Sequence, residues 1–194
     1  MVKKRIAVLF SGSGSNLQAI LEQVHNKVFN QTHIEVALTI CNKPDAYGIT
    51  RAKNFGIKTI IIENKNFNSR EEFDKALVEQ IKLNSIDLVV LAGFMRILTP
   101  VFTTQIKAIN LHPSILPLFK GAHAIDESFH SDMQIGGVSV HWVSEELDGG
   151  KLIAQRAFER EKDMSKEAWE KKIHAIEHEI LPQSIVKILC EQGF

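Results

Sequence analysis

Short apolar runs alternate with amphipathic stretches over the first two-thirds of the chain. Ile6–Phe10 is uninterruptedly apolar and ends in a Gly/Ser turn, the pattern of a strand buried on both faces. From Asn16 to about Val28 the apolar positions Leu17, Ile20, Leu21 and Val24 recur at helical spacing. Ile34–Ile40 predicts a second strand, followed by the loop Asn42-Lys43-Pro44-Asp45 and a helix closed by Gly56. Thr59–Ile62 is the third strand. Ser69-Arg70-Glu71-Glu72 has the S-x-x-E form of a capping box and opens a helix that runs to about Asn84. Leu88–Ala92 predicts a fourth strand, a short helix lies near Thr99–Gln105, and Ala108–Leu111 predicts a fifth strand. This β-α-β rhythm implies an α/β fold with a Rossmann-like, mostly parallel sheet flanked by helices.

After Pro113 the rhythm changes. A loop rich in Pro, Gly and His runs to about His123, and a helix is expected over Ile125–His130. Val138–Val143 and Leu152–Phe158 read as strands joined by Glu145-Glu146-Leu147-Asp148-Gly149-Gly150, a connection that suggests an antiparallel C-terminal element. The stretch from about Ser165 to Glu191 predicts a charged helix on Trp169, Ile173, Ile176 and Ile180, broken in two by Pro182. No internal repeat or low-complexity segment interrupts the pattern.

Composition narrows the class without choosing a function. The 194 residues are 44% hydrophobic and 24% charged, as in a soluble single domain. A formal net charge of zero gives no electrostatic reason to expect nucleic acid or an anionic membrane as partner. Lys3-Lys4-Arg5 is followed only by Ile6–Phe10 before the turn, too short for a signal-peptide core. Cys41 and Cys190 show no metal or redox spacing and read as two reduced thiols, so a cytoplasmic protein is expected. His25, His33 and His130 read as surface residues.

Three segments carry candidate chemistry. Ser11-Gly12-Ser13-Gly14-Ser15-Asn16 lies where the first strand hands over to the first helix, a natural anion site. It matches the dinucleotide turn poorly, because the third glycine would fall at Leu17, and a phosphomonoester suits it better than NAD. A plain tight turn with Ser and Asn capping the helix is the alternative. Asn110-Leu111-His112-Pro113 closes the fifth strand, where period-two alternation sends Asn110 and His112 to one side and Leu111 into the core. An amide that donates to an oxyanion beside an imidazole that passes a proton suits acyl transfer, although alone His112 reads equally well as a satisfied core histidine. The acidic loop is by local pattern a solvated turn. Gly149-Gly150 offers a bend that could carry one carboxylate inward, and Asp148 reaching His112 would favour the imidazolium. His174-Ala175-Ile176-Glu177-His178 matches a zinc-peptidase pattern but lacks a convincing third ligand, Glu191 being the one later acid, so no metal is expected.

Taken in order, the blocks Ser11–Leu17 (SGSGSNL), Asn68–Glu71 (NSRE), Leu91–Pro100 (LAGFMRILTP), Asn110–Pro117 (NLHPSILP), Gly121–His123 (GAH), Ser139–His141 (SVH), Leu147–Gly150 (LDGG) and Glu177–Pro182 (EHEILP) resemble the glycinamide ribonucleotide formyltransferases, folate-dependent enzymes of purine biosynthesis. The Asn-x-His-Pro-Ser and Leu-Asp-Gly-Gly blocks belong to the wider formyltransferase superfamily, and the glycine loop and tail narrow the match. The resemblance implies one formyltransferase domain over residues 1–194, with a phosphate-binding Rossmann-like half at 1–105 and a catalytic and folate-binding half at 106–194. It implies transfer of a formyl group from 10-formyltetrahydrofolate, a co-substrate, to the amine of 5′-phosphoribosylglycinamide, by direct attack through a tetrahedral intermediate.

Residue by residue, the resemblance gives Gly14, Ser15 and Asn16 the substrate phosphate and Glu177 the ribose hydroxyls. Met95, Arg96, Ile97 and Leu98 would line the pterin pocket, Arg70 would meet the benzoyl-glutamate end, and Asn110 would also touch the folate. Asn110, His112 and Asp148 would be the catalytic group, with His123 and His141 in support. The partners implied are small molecules, with no nucleic acid and no membrane, in a monomer or homodimer. The segment between Gly121 and Gly137 and the short tail after Cys190 depart most from the family pattern. A formyltetrahydrofolate deformylase would carry an N-terminal regulatory domain, and a methionyl-tRNA formyltransferase a basic C-terminal RNA-binding domain. Neither is expected here, and a non-catalytic nucleotide-binding module is the alternative from another class.

Overall fold

The computed structural model of the chain describes residues 1–191; positions 192–194 of the domain read from the sequence lie outside the described residues. The apolar run Ile6–Phe10 is the buried half of a longer strand, β1 (Val2–Phe10). Its basic first half stays in the sheet because acids on neighbouring segments meet it. Lys3 pairs with Glu35 at 2.9 Å and Lys4 with Asp87 at 3.1 Å, while Asp87 also accepts the Arg5 backbone N–H at 2.8 Å.

Helix α1 (Ser15–Gln23) ends before the expected Val28. The chain turns at Asn26 (φ 56°) into a short strand, β2 (Lys27–Phe29), that hairpins into β3 (Thr32–Cys41) through Asn30 and Gln31, both at positive φ. Then come α2 (Gly48–Asn54), β4 (Thr59–Ile61) and a 3-10 turn at Asn64–Asn66. Helix α3 (Arg70–Leu83) is capped by Ser69 Oγ, which accepts from the Glu72 N–H at 3.1 Å, while the Glu72 carboxylate accepts from the Asn68 N–H. β5 (Leu88–Leu91), α4 (Pro100–Thr103), β6 (Ala108–His112), α5 (Ala124–His130), β7 (Ile135–Trp142), β8 (Leu152–Glu159) and α6 (Lys166–Cys190) complete the described residues.

Among the described residues the strands form one sheet in the order β2-β3-β1-β5-β6-β7-β8, with β4 also beside β3. β1, β3, β4, β5 and β6 run parallel, and β7 and β8 are added antiparallel, the C-terminal element the acidic connection suggests. From β1 the chain builds outward through β3 and β4, then crosses back to lay β5 on the other side of β1. That reversal opens a crevice at the carboxyl ends of β1 and β5, where open α/β sheets bind ligands. The two faces have separate cores. Ile6, Val8 and Phe10 pack with α1 and α6, whereas Ala7 and Leu9 pack with α3 and with Phe102 of α4.

Helix α6 corrects one expectation. It continues unbroken through Pro182, which is buried within it. A proline lacks the N–H that would bond the carbonyl one turn earlier, at His178. That carbonyl instead accepts Gln23 Nε2 from α1 at 2.9 Å, so its lost partner is replaced from outside the helix. Among the described residues, no helix is long and apolar enough to cross a membrane.

Candidate active site

β6 ends at His112, in register with β5 on one side (Leu91 opposite Asn110) and β7 on the other (His141 opposite Asn110, Ser139 opposite His112). Leu111 points into the core and the two polar side chains reach the other face, as alternation predicts. The loop after Pro113 is tied down rather than loose. Ser139 Oγ accepts from the Leu116 N–H at 3.0 Å and donates to the Ser114 carbonyl at 2.7 Å. This loop turns at Phe119 (φ 54°) and brings its carbonyl to 2.7 Å from His112 Nε2. A carbonyl only accepts, so Nε2 carries a proton there.

On its other side, His112 Nδ1 lies 3.4 Å from Asp148 Oδ2. The acidic loop is therefore not wholly solvated: Asp148 is buried, while Glu145 and Glu146 stay exposed. The bend that turns Asp148 inward is at Asp148 itself (φ 50°), a conformation aspartate tolerates better than most residues. Gly150 is needed for close approach, since a Cβ there would stand 1.7 Å from the Trp142 carbonyl oxygen. Asp148 Oδ2 also accepts the Gly121 N–H at 2.8 Å, and Oδ1 accepts Asn110 Nδ2 at 3.3 Å and faces His141 Nε2 at 3.6 Å. Burial pushes its carboxyl up. The His141 side chain, the Gly121 N–H and the charge of the two imidazoles outweigh that and hold it below the usual carboxylate value.

His141 has a more definite place than its motif suggested. Its Nδ1 donates to the Trp142 carbonyl at 2.9 Å, and its Nε2 lies between Asn110 Nδ2 at 3.2 Å and Asp148 Oδ1 at 3.6 Å. Asn110 is thus fixed between His141 and Asp148. His123, the other supporting histidine, stands exposed at the start of α5.

This cluster lies at the wall of a cavity of about 460 Å³. The opposite wall is the segment after β5, with Arg70 at the rim; Met95, Arg96, Ile97 and Leu98 all line it. Met95 and Ile97 are exposed apolar side chains at the mouth, facing exposed Leu147 of the acidic loop, as in a ligand groove. Arg96 Nε is buried without a hydrogen-bond partner among the described residues. The segment is anchored at its far end by buried Asp74, whose Oδ2 accepts the Thr99 N–H at 2.6 Å and the Thr99 hydroxyl at 2.7 Å.

The glycine loop lies beside this cavity. Gly14 (φ 72°) starts α1 with no side-chain cap, and a Cβ there would stand 2.7 Å from Gly48 Cα. The first helical N–H groups, at Ser15 and Asn16, thus face outward at the positive end of the helix. Arg51 Nε donates to the Ser13 carbonyl at 2.9 Å, adding a cation that the sequence reading did not single out. Asn16 Nδ2 donates to Glu177 Oε2 at 3.2 Å across 161 residues of chain, so the glycine loop and the tail motif meet. Asn16 Oδ1 is buried without a partner among the described residues. Ser11 ties the two sites together: its N–H donates to the Gly93 carbonyl, and its buried hydroxyl accepts the Met95 N–H at 2.9 Å and donates to Asn42 Oδ1 at 2.6 Å. Among the described residues, no group of His, Cys, Asp and Glu side chains is arranged to hold a metal ion.

Comparison with known proteins shows the family and the fold. The formyl transferase family model matches residues 4–185. A phosphoribosylglycinamide formyltransferase from Bacillus subtilis (strain 168) is 36% identical over 188 residues, covering 96% of this chain and 95% of that protein. The trifunctional purine biosynthetic protein adenosine-3 of Drosophila melanogaster is also 36% identical over 96% of this chain, which spans only 14% of that longer protein. The solved structure of phosphoribosylglycinamide formyltransferase from Campylobacter jejuni subsp. jejuni NCTC 11168 is 61% identical, covers 96% of this chain and 98% of that one, and superposes with a TM-score of 0.95. That from Streptococcus pneumoniae TIGR4 is 35% identical, covers 97% and 99%, and has a TM-score of 0.87.

Proposed function

This chain belongs to the formyl transferase family, and on that premise we propose that it transfers the formyl group of 10-formyltetrahydrofolate to the amine of 5′-phosphoribosylglycinamide in purine biosynthesis. The products are 5′-phosphoribosyl-N-formylglycinamide and tetrahydrofolate. The observation that carries the reading is the Asp148-centred cluster of Asn110, His112 and His141, set in the wall of a cavity whose other wall is apolar.

The residues around that cavity suit the folate. Flat rings need an apolar slot with a few polar groups, which Met95, Ile97, Leu98 and the unpartnered Arg96 Nε offer; the glutamate tail needs a cation, and Arg70 is at the rim. Bound there, the folate supplies an electrophilic formyl carbon. Residues 1–105 bring the glycine loop, whose Gly14, Ser15 and Asn16 hold the substrate phosphate, and residues 106–194 bring the catalytic group and Glu177, which accepts from the ribose hydroxyls.

Asn110 donates from its amide nitrogen to the formyl oxygen as negative charge develops there, exchanging for it one of the long contacts that Nδ2 makes to Asp148 and His141. His112, beside Asp148, adds a second donor from Nε2, and the arriving oxygen competes with the Phe119 carbonyl for that proton. Asp148 orients the His112 ring through Nδ1 and helps relay the proton lost by the amine, through water, toward the departing nitrogen. The two free thiols suit a cytoplasmic location.

Substituting the cluster tests the scheme. Asn110→Ala is expected to lower kcat about 10²–10³-fold, the cost of one oxyanion donor. His112→Ala and Asp148→Asn are expected to lower it about 10²–10⁴-fold, the range for general acid–base transfer. Circular dichroism should report an intact fold in each variant. Near-wild-type turnover in any of them removes that residue from the mechanism.

A further inference from the structure

The motif His174-Ala175-Ile176-Glu177-His178 offers the reaction one residue, Glu177, and leaves both histidines without a task. The fold treats the two differently. His174 Nδ1 lies 2.9 Å from Glu177 Oε2, the same oxygen that accepts Asn16 Nδ2. Glu177 is only 5% exposed, and its carboxylate is gripped from two sides through one oxygen, with no hydrogen bond to Oε1 among the described residues. The His174 ring is half exposed beside the glycine loop's partner acid. His178 shows no such contact, and burial pushes its ring toward the neutral form.

We propose that His174 is a positioning residue for the ribonucleotide: by holding Glu177 Oε2 it presents the other carboxylate oxygen to the ribose hydroxyls, and its charge makes substrate affinity depend on pH. The inference rests on the reading of Glu177 as the ribose-binding acid.

The surroundings set the sign. The hydrogen bond that it donates to Glu177 raises the His174 imidazole above its ordinary value, against partial burial and with help from the charges of Glu177 and Glu170. From α1, which packs on this face, come Asn16 and Glu22, and from α2 comes Arg51; Glu22 and Arg51 act on His178. The nearby charges from α5, from β8 and from the segment before α6 are taken up elsewhere on α6, in Asp126–Lys166, Arg156–Glu179 and Glu161–Lys172 pairs. His174 is therefore charged on the acid side of its raised value, where it grips Glu177 most firmly and attracts the anionic substrate. Affinity falls as pH rises through that value.

Calorimetric titration of 5′-phosphoribosylglycinamide alone, from about pH 6 to about pH 9, separates this effect from turnover. The ligand's own titrations are common to all variants, so the ratio between proteins is read. Wild-type affinity is expected to fall about three- to tenfold more than that of His174→Gln, since tenfold corresponds to a one-unit displacement of a coupled titration. His174→Gln keeps a donor to Glu177 but cannot titrate, whereas His174→Ala is expected to bind more weakly at every pH. In steady-state kinetics the effect falls on KM for the ribonucleotide rather than on kcat. NMR titration of the His174 ring is expected to show its raised value and its return toward the ordinary value in Glu177→Gln.

Glu177→Gln is also expected to weaken binding at every pH. Wild-type affinity in that variant would overturn the ribose reading and this inference with it. Weakened binding in Glu177→Gln together with an unchanged pH profile in His174→Gln would overturn this inference alone.

Discussion

Asp148 and Asp74 are both buried aspartates, and their surroundings push them in opposite directions. Asp148 divides hydrogen bonds and imidazole contacts between both oxygens and stays ionised. Asp74 accepts both Thr99 bonds on Oδ2 and leaves Oδ1 buried without a partner among the described residues. Burial raises the Asp74 carboxyl above its ordinary value despite those bonds. A carboxyl with a raised folded value binds its proton more tightly in the folded state, so it contributes most at low pH and loses that contribution as pH rises through the raised value. The wild-type Tm is therefore expected to fall relative to that of Asp74→Asn as pH is raised from about 4 toward neutrality. Parallel Tm profiles would contradict this. At this scale alternation on one strand put Asn110 and His112 on the same side, whereas local pattern made the acidic loop a solvated turn, and Asp148 stood out from its three acids chiefly through the resemblance. It could not show Asp74 or Ser11, whose partners lie 25 and 84 positions away along the chain.

Helices and strands were readable where one face is apolar and misread where a distant group changes the outcome. The basic start of β1 looks like an exposed terminus until Glu35 and Asp87 are placed beside it. β2 is three residues long, and its hairpin depends on two non-glycine residues at positive φ, so no turn signature marked it. Pro182 breaks an isolated helix, but here Gln23 of α1 satisfies the carbonyl the proline abandons. A double-mutant cycle checks this. Gln23→Ala is expected to cost about 0.5–1.5 kcal/mol in the wild-type background, the net worth of one hydrogen bond. In Pro182→Ala, where a backbone N–H returns to His178, the same change is expected to cost close to nothing. Equal cost in both backgrounds, read from urea unfolding, would mean that the Gln23 contact does not substitute for the missing bond.

For the whole molecule, the reversal of strand order beside β1 brings the glycine loop, the segment after β5 and the end of β6 to one edge of the sheet. Ser11, bonded to both Gly93 and Met95, makes the two proposed ligand sites share a wall. An enzyme that joins two small molecules needs this closeness, because holding both reactants in place removes much of the entropic barrier to their meeting. The parallel sheet and its antiparallel extension could be read from the alternation of elements. The shared wall could not, since it depends on which strands become neighbours. The central claim is that the formyl group passes to a ribonucleotide amine held in the second site. The direct test follows loss of the formyl group from 10-formyltetrahydrofolate by absorbance, with and without 5′-phosphoribosylglycinamide. Turnover only when the ribonucleotide is present is the predicted result; equal turnover without it would make water the acceptor and contradict the account.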